Sequence, residues 1–297
     1  MTVGRFAPSP SGRMHLGNVF TALLAWLSVR AQNGKMLLRI EDLDPARSKQ
    51  EYIVALREDL HWLGLDWDEE MPLQSTRNSV YAEAFSRLDT YPCYCTRNEL
   101  HDASAPHASD GIFIYAGTCR NLTEAERAQK QRKPAWRVRV PDVTIRFSDG
   151  VYGAQEEQLA EECGDFILRR SDGVYAYQLA VVCDDALGGV TEVVRGSDLL
   201  GSTARQIWLY GALGFSAPKF YHIPLLIAPD GKRLSKREKS LDMAHLRQTH
   251  TSEALIGRLA KLAGLTETDA PIPAAELIPF FSWEKIGRDA VIIPETF

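Results

Sequence analysis

The residues with the clearest chemical potential form one run near the N-terminus, Arg5-Phe6-Ala7-Pro8-Ser9-Pro10-Ser11-Gly12-Arg13-Met14-His15-Leu16-Gly17-Asn18. Val3 to Phe6 reads as a buried strand. From Asn18 onward Phe20, Leu23, Leu24 and Leu27 recur at helical spacing, with Asn18 or Thr21 as candidate caps. A small-residue loop between a strand and a helix N-terminus can bind an anion, because free backbone N–H groups and the positive end of the helix dipole face it. Pro8 and Pro10 stiffen this loop, and Gly12 and Gly17 let a ligand approach the backbone. His15 can donate a hydrogen bond to a phosphate oxygen. On spacing alone the same run also describes an ordinary strand–loop–helix connection.

Two further groups carry chemistry. Cys93-Tyr94-Cys95 and Cys119 supply three soft ligands. Cysteines one residue apart do not easily bond to each other, but they can hold one metal with ligands from a second loop. Spacing nominates His101 or His107 as the fourth ligand. Cys163 and Cys183 read as small buried hydrophobes. The stretch Pro229-Asp230-Gly231-Lys232-Arg233-Leu234-Ser235-Lys236-Arg237 is a glycine-led basic loop. Such a loop can close over a triphosphate and bring positive charge to a leaving group.

The elements that must position these groups alternate strand and helix. Lys35 to Ile40 reads as a second strand running into Glu41-Asp42-Leu43-Asp44-Pro45, and Lys49 to Leu63 as a helix stopped by Gly64. Acids at a strand's C-terminal end suit the ligand crevice of an open parallel α/β sheet. Asn78 to Tyr91 reads as a helix. The stretch from Arg120 to Arg139 reads as a basic helix and strand, and 141–151 as a hairpin turning at Asp149-Gly150. Asp165 to Arg170 reads as a strand, and Val174 to Val182 as the most apolar strand-like run, leading to Asp184-Asp185. A strand over 190–194, a helix from Ser202 to Leu213 and a last strand over 222–227 follow. The expected organisation is a nucleotide-binding catalytic domain split into 1–92 and 171–240, an α+β insert over 93–170, and a short helical region over 241–297.

The 297 residues are 45% hydrophobic and 25% charged, as in a soluble globular protein. No N-terminal signal and no apolar run of about 18–20 residues is present, which excludes a helical membrane span and predicts a cytoplasmic protein. Five cysteines in such a chain argue for thiols or metal rather than a disulfide framework. The net charge of −5 is unevenly spread. Residues 120–139 hold seven Lys/Arg against two acids, and 219–239 hold six against two, whereas 51–90 hold three Arg against nine acids. Two basic surfaces on an acidic body suit polyphosphate or an RNA backbone.

The run from Arg5 to Asn18 resembles the signature of class I aminoacyl-tRNA synthetases in its glutamyl and glutaminyl branch. His15-Leu16-Gly17-Asn18 stands for the HIGH tetrapeptide, with Asn18 in place of the final histidine. Arg39 to Asp44 resembles the branch's RIEDTD run, Asp165 to Gly173 its DFxLxRxDG stretch, and Arg233 to Arg237 the KMSKS signature, with Ser235 and Lys236 kept. The similarity extends over about residues 3–240, and the fold it implies is the Rossmann-like open parallel sheet of that class with a zinc-bearing insert.

The resemblance further implies that ATP activates L-glutamate as glutamyl-adenylate, with Mg²⁺ accompanying the ATP. Glutamate would be held by Arg5, Phe6, Ala7, Pro8, Ser9, Glu41, Tyr177 and Arg195, and ATP by His15, Gly17, Asn18, Ser235 and Lys236. His15 and Lys236 would stabilise the transition state. One structural Zn²⁺ would be held by Cys93, Cys95, Tyr115 and Cys119, since short bacterial paralogues of the branch follow Cys-x-Cys with Tyr-x-x-x-Cys. Only 58 residues follow Lys239. They show one clear helix, Ser252 to Leu262, and a proline-rich tail, so no anticodon-binding domain is expected. That brevity resembles the truncated paralogues, in which glutamate is esterified to queuosine in the anticodon of tRNA(Asp). A monomer is expected, with the insert contacting the RNA. A minimal synthetase charging the tRNA 3′ end, or a non-catalytic RNA- or nucleotide-binding module, would carry the same motifs.

Overall fold

The computed structural model describes residues 1–96, 114–232 and 241–294. In chain order the first half contains β1 (Val3–Phe6), α1 (Leu16–Ala31), β2 (Lys35–Leu38), α2 (Gln50–Trp62), β3 (Glu69–Glu70) and α3 (Asn78–Ser86). Next come β4 (Thr90–Cys93), α4 (Glu124–Ala128), β5 (Ala135–Val138), β6 (Thr144–Asp149), β7 (Gly153–Gln158) and β8 (Ile167–Arg169). The chain then forms α5 (Tyr177–Leu187), β9 (Glu192–Gly196), α6 (Thr203–Ala212), β10 (Lys219–Ile223) and β11 (Leu226–Ile227). It closes with α7 (Met243–Thr249), α8 (Ser252–Leu262) and β12 (Val291–Ile292).

The main sheet is parallel with strand order β10-β9-β1-β2-β3. Successive residues of a strand face opposite sides, and here both sides are covered, so β1, β2, β9 and β10 place apolar residues on both. On one side Met36, Leu38 and Val194 pack with α1 and with Leu255, Ile256 and Leu259 of α8. On the other Leu37, Val193 and Phe220 pack with α5 and α6. The strand order reverses between β1 and β9, and a crevice opens beyond their C-terminal ends, where open α/β sheets bind ligands. Between the halves of this sheet lie an antiparallel sheet, β4-β5-β8, and the hairpin β6-β7.

The structure corrects four readings of the sequence. The apolar run 174–182 is largely helical, because α5 starts at Tyr177 and has Leu179 to Asp185 all buried. A fully buried helix and a fully buried strand share an unbroken apolar run, so periodicity cannot separate them. Secondly, α1 starts at Leu16 with His15 at its N-cap, and Asn18 accepts the His15 backbone N–H through Oδ1 at 3.1 Å rather than capping the helix itself. Thirdly, α3 ends at Ser86, and Tyr91 and Pro92 belong to β4, which pairs with β5. Fourthly, the last strand breaks at Pro224, which has no N–H to donate. Its first part stays in the main sheet, and Leu226–Ile227 pairs instead with Val291–Ile292 of the tail. The C-terminal region also holds α7, whose Asp242 cap accepts the His245 N–H at 3.0 Å.

Candidate active site and metal cluster

A cavity of about 610 Å³ lies at the strand-order reversal, floored by β1 and β9 and walled by the loop 7–15. Its lining includes Arg5, Ser9, His15, Glu41, Tyr177 and Arg195. Arg39 donates its backbone N–H to Phe6 O at 3.0 Å and Glu41 to Pro8 O at 3.0 Å, so the acidic run after β2 lies along the signature loop. That alignment brings Glu41 into the cavity.

The charges are arranged in two layers. Arg5 is buried and donates from Nε to Asp185 Oδ1 at 3.2 Å and from Nη1 to Val194 O at 3.2 Å. Arg39 also pairs with Asp185, and its Nη2 donates to Glu41 Oε1 at 3.0 Å. Burial pushes the Asp185 carboxyl up, but the Arg39 and Arg5 charges outweigh burial and hold it below the usual carboxylate range. Glu41 goes the other way: burial holds its carboxyl above the ordinary range despite Arg39. Burial also raises the Tyr177 phenol, and the Glu41 charge adds to it.

Arg195 differs from both arginines. Its Nε donates to His222 Nε2 at 2.9 Å, Nη1 to Gln206 Oε1 at 2.7 Å, and Nη2 to Thr203 Oγ1 at 2.9 Å and Leu199 O at 3.3 Å. No carboxylate lies within ion-pair distance of it among the described residues. Burial accordingly lowers its pKa. It is a buried cation at a cavity wall, served by uncharged acceptors.

At the opposite wall His15 stands at the N-terminus of α1, a 16-residue helix with no acid in its first turn. A Cβ on Gly17 would lie 3.3 Å from the His15 ring, so glycine leaves that ring its place. Ser235 and Lys236 lie outside the described residues, as do His101 and His107. The segment after the basic loop is held to the signature loop, since Met243 donates its N–H to Met14 O at 2.9 Å.

The insert brings Cys93, Cys95 and Cys119 together, with their sulfurs all within 4.8 Å of one another. The Tyr115 hydroxyl lies 3.5 Å from Cys93 Sγ and 3.9 Å from Cys95 Sγ, and it accepts the Cys119 backbone N–H at 2.6 Å. Burial, with the neighbouring Cys93 charge, pushes the Cys95 thiol up to about 12. Burial opposes ionisation of Cys93 too, yet the Tyr115 hydroxyl and Arg137 bring its pKa below the ordinary thiol value. Three thiols and a phenol oxygen on one point form a donor set that could hold a metal ion, and a soft one by its sulfur content.

A family model described as tRNA synthetases class I (E and Q), catalytic domain, matches residues 1–280. The chain belongs to this family. It is a ligase of the aminoacyl-tRNA synthetase type. A protein of Symbiobacterium thermophilum named glutamyl-Q tRNA(Asp) synthetase is 48% identical over 313 residues, covering 99% of this chain and 96% of its own length. One of the same name from Deinococcus radiodurans is 46% identical, covering 95% and 97%. A crystal structure of a glutamate tRNA ligase from Elizabethkingia meningosepticum in complex with its amino acid matches with a TM-score of 0.83. Its sequence identity is 28%, over 99% of this chain and 67% of that one.

In this synthetase the cavity gathers Arg5, Phe6, Ala7, Pro8, Ser9, His15, Gly17, Asn18, Glu41, Tyr177 and Arg195 around one volume. Sequence reasoning placed none of Arg39, Asp185, Thr203, Gln206, His222 or Asp149 at the site. Asp185 was visible as an acid closing an apolar run, but its direction depends on that run being a helix. Among the described residues no helix is long and apolar enough to cross a membrane.

Proposed function

We propose that this synthetase activates glutamate with ATP and transfers the glutamyl group to queuosine in the anticodon of tRNA(Asp). The observation that carries the reading is Arg195, a buried guanidinium at the cavity wall without a carboxylate partner among the described residues. A guanidinium there suits a substrate's side-chain carboxylate and gives glutamine, which is neutral, nothing equivalent. Glu41, beside Pro8, suits the α-ammonium, and the Ser9 and Tyr177 hydroxyls suit the remaining polar atoms. The names of the relatives support both the amino acid and the RNA.

In the first step an α-carboxylate oxygen of glutamate attacks the α-phosphorus of ATP in line, and the bond to pyrophosphate breaks. In the second a hydroxyl of the queuosine cyclopentenediol attacks the acyl carbon of the adenylate, and AMP leaves. No side-chain nucleophile is needed, so positioning and charge do the catalysis. His15 and the α1 N-terminus would receive the phosphates, with Lys236 from the basic loop on the leaving group. Mg²⁺ would accompany ATP and offset its charge. Cys93, Cys95, Cys119 and Tyr115 would hold one structural Zn²⁺, which supplies a cross-link within the insert rather than chemistry.

The deciding experiment offers the protein ATP, labelled glutamate, and tRNA(Asp) with or without queuosine. Label on the queuosine-containing RNA alone is expected. Label on both would mean 3′-end charging, and label on neither would remove the transfer step.

A further inference from the structure

Behind Arg195 lies a buried pair that none of the substrate contacts above uses. His222, on β10, is fully buried and accepts the Arg195 Nε–H on Nε2 at 2.9 Å. An Nε–H can only donate, so Nε2 carries no proton and the imidazole is the Nδ1–H tautomer. That proton points at Asp149 Oδ2, 2.6 Å away. The other Asp149 oxygen accepts the N–H groups of Val151 at 3.0 Å and Tyr152 at 2.9 Å, which fixes the carboxylate in place. Asp149 ends β6, so the chain of bonds begins in the insert hairpin and ends in the catalytic sheet.

We propose that Asp149 and His222 form a positioning relay, in which Asp149 fixes the His222 tautomer and His222 fixes the Arg195 guanidinium to receive the substrate's side-chain carboxylate. The inference rests on the glutamate reading above and adds residues to it. Arg195 is otherwise held at its two Nη atoms, by an amide, a hydroxyl and a backbone carbonyl. The bond to His222 adds the contact at Nε, so that all three nitrogens together fix the plane of the fork. The ring of Phe220 supports the same plane, with Arg195 Cζ 5.1 Å from its centroid and the His222 ring parallel to it at 6.3 Å. Protonated His222 would set an N–H against an N–H and a charge against a charge. Burial and the Arg195 charge keep its pKa below the usual imidazole value, despite Asp149.

The test is D149N. The Val151 and Tyr152 N–H groups keep the amide oxygen on their side, so the amide nitrogen must donate to His222 Nδ1. The proton then moves to Nε2 and opposes Arg195. In glutamate-dependent ATP–pyrophosphate exchange the KM for glutamate should rise about tenfold or more, with the KM for ATP within about twofold of the parent. The ¹⁵N spectrum of His222 should report protonated Nδ1 in the parent and protonated Nε2 in D149N. In an R195K background, where the guanidinium Nε is already gone, D149N should change the glutamate KM by less than about twofold. An unchanged glutamate KM in D149N, or equal losses for ATP and glutamate, would overturn the relay alone. A parent protein without glutamate-dependent exchange would overturn the glutamate reading and the relay's substrate role with it.

Discussion

Glu41 and Asp185 share the same two arginines and are pushed in opposite directions, which gives each a separate test. Asp185 lies between Arg5 and Arg39 with its charge matched on both sides. D185N would leave two buried guanidinium groups facing an amide, and breaking a buried pair by removing one partner costs about 3–5 kcal/mol. Urea unfolding should show that loss at pH 7. Because the folded carboxyl titrates below its unfolded counterpart, its contribution is full above the unfolded value, near 4, and is lost as pH falls through the folded value. D185N should therefore flatten the acid limb of the stability curve. Glu41 is held above its ordinary range by burial, and a substrate ammonium beside it favours the ionised form. The KM for glutamate should fall as pH rises through the raised Glu41 value and level off above it. E41Q should abolish that slope, and a slope unchanged in E41Q would assign it to another group.

At the level of elements, the motif-bearing pieces were legible because they are local. β1, the loop and α1 are contiguous, so strand, punctuation and helical spacing could be read together. The run before Asp184-Asp185 was not legible, since a buried helix and a buried strand are equally apolar. The difference matters for the site. On a helix the two acids diverge by about 100°. Asp184 thus meets Gln74 at 2.7 Å, Arg77 at 2.7 Å and Tyr81 at 2.9 Å on one side, while Asp185 meets the arginines of the sheet. His222 and Asp149 are 73 residues apart and join only through tertiary packing, for which no spacing rule exists. The Cys-x-Cys pair was legible, but its phenolic neighbour came only through the family resemblance. The end of β4 and the loop at 115–119 meet through those side chains, so zinc should tie them. Purified protein is expected to carry one zinc per chain by elemental analysis. Chelation should lower Tm, and added zinc at about 100 times its Kd should restore roughly 2.7 kcal/mol. A Tm indifferent to chelator and zinc would remove the structural metal.

Across the whole molecule, the basic segment reaches the cysteine cluster. Arg132 and Lys133 are exposed, and Arg132 Nη1 donates to the carbonyl of Tyr94, between the two cysteines of the Cys-x-Cys pair, at 3.4 Å. The cavity lies at the main sheet and its lining includes neither Arg132 nor Lys133, so the proposed RNA contact and the proposed adenylate chemistry occupy different parts of the chain. Separate parts predict separable losses. R132A combined with K133A should weaken tRNA binding at low salt and leave ATP–pyrophosphate exchange unchanged, because neither residue lines the cavity. If both side chains meet phosphates, each contact accounts for about one unit of the slope of log K against log salt, so the slope should become shallower by about two. Exchange and RNA binding falling together, with a lower Tm, would instead make the segment a structural brace of the cysteine loop. An unchanged salt slope with weaker binding would put the contacts on bases rather than on the backbone.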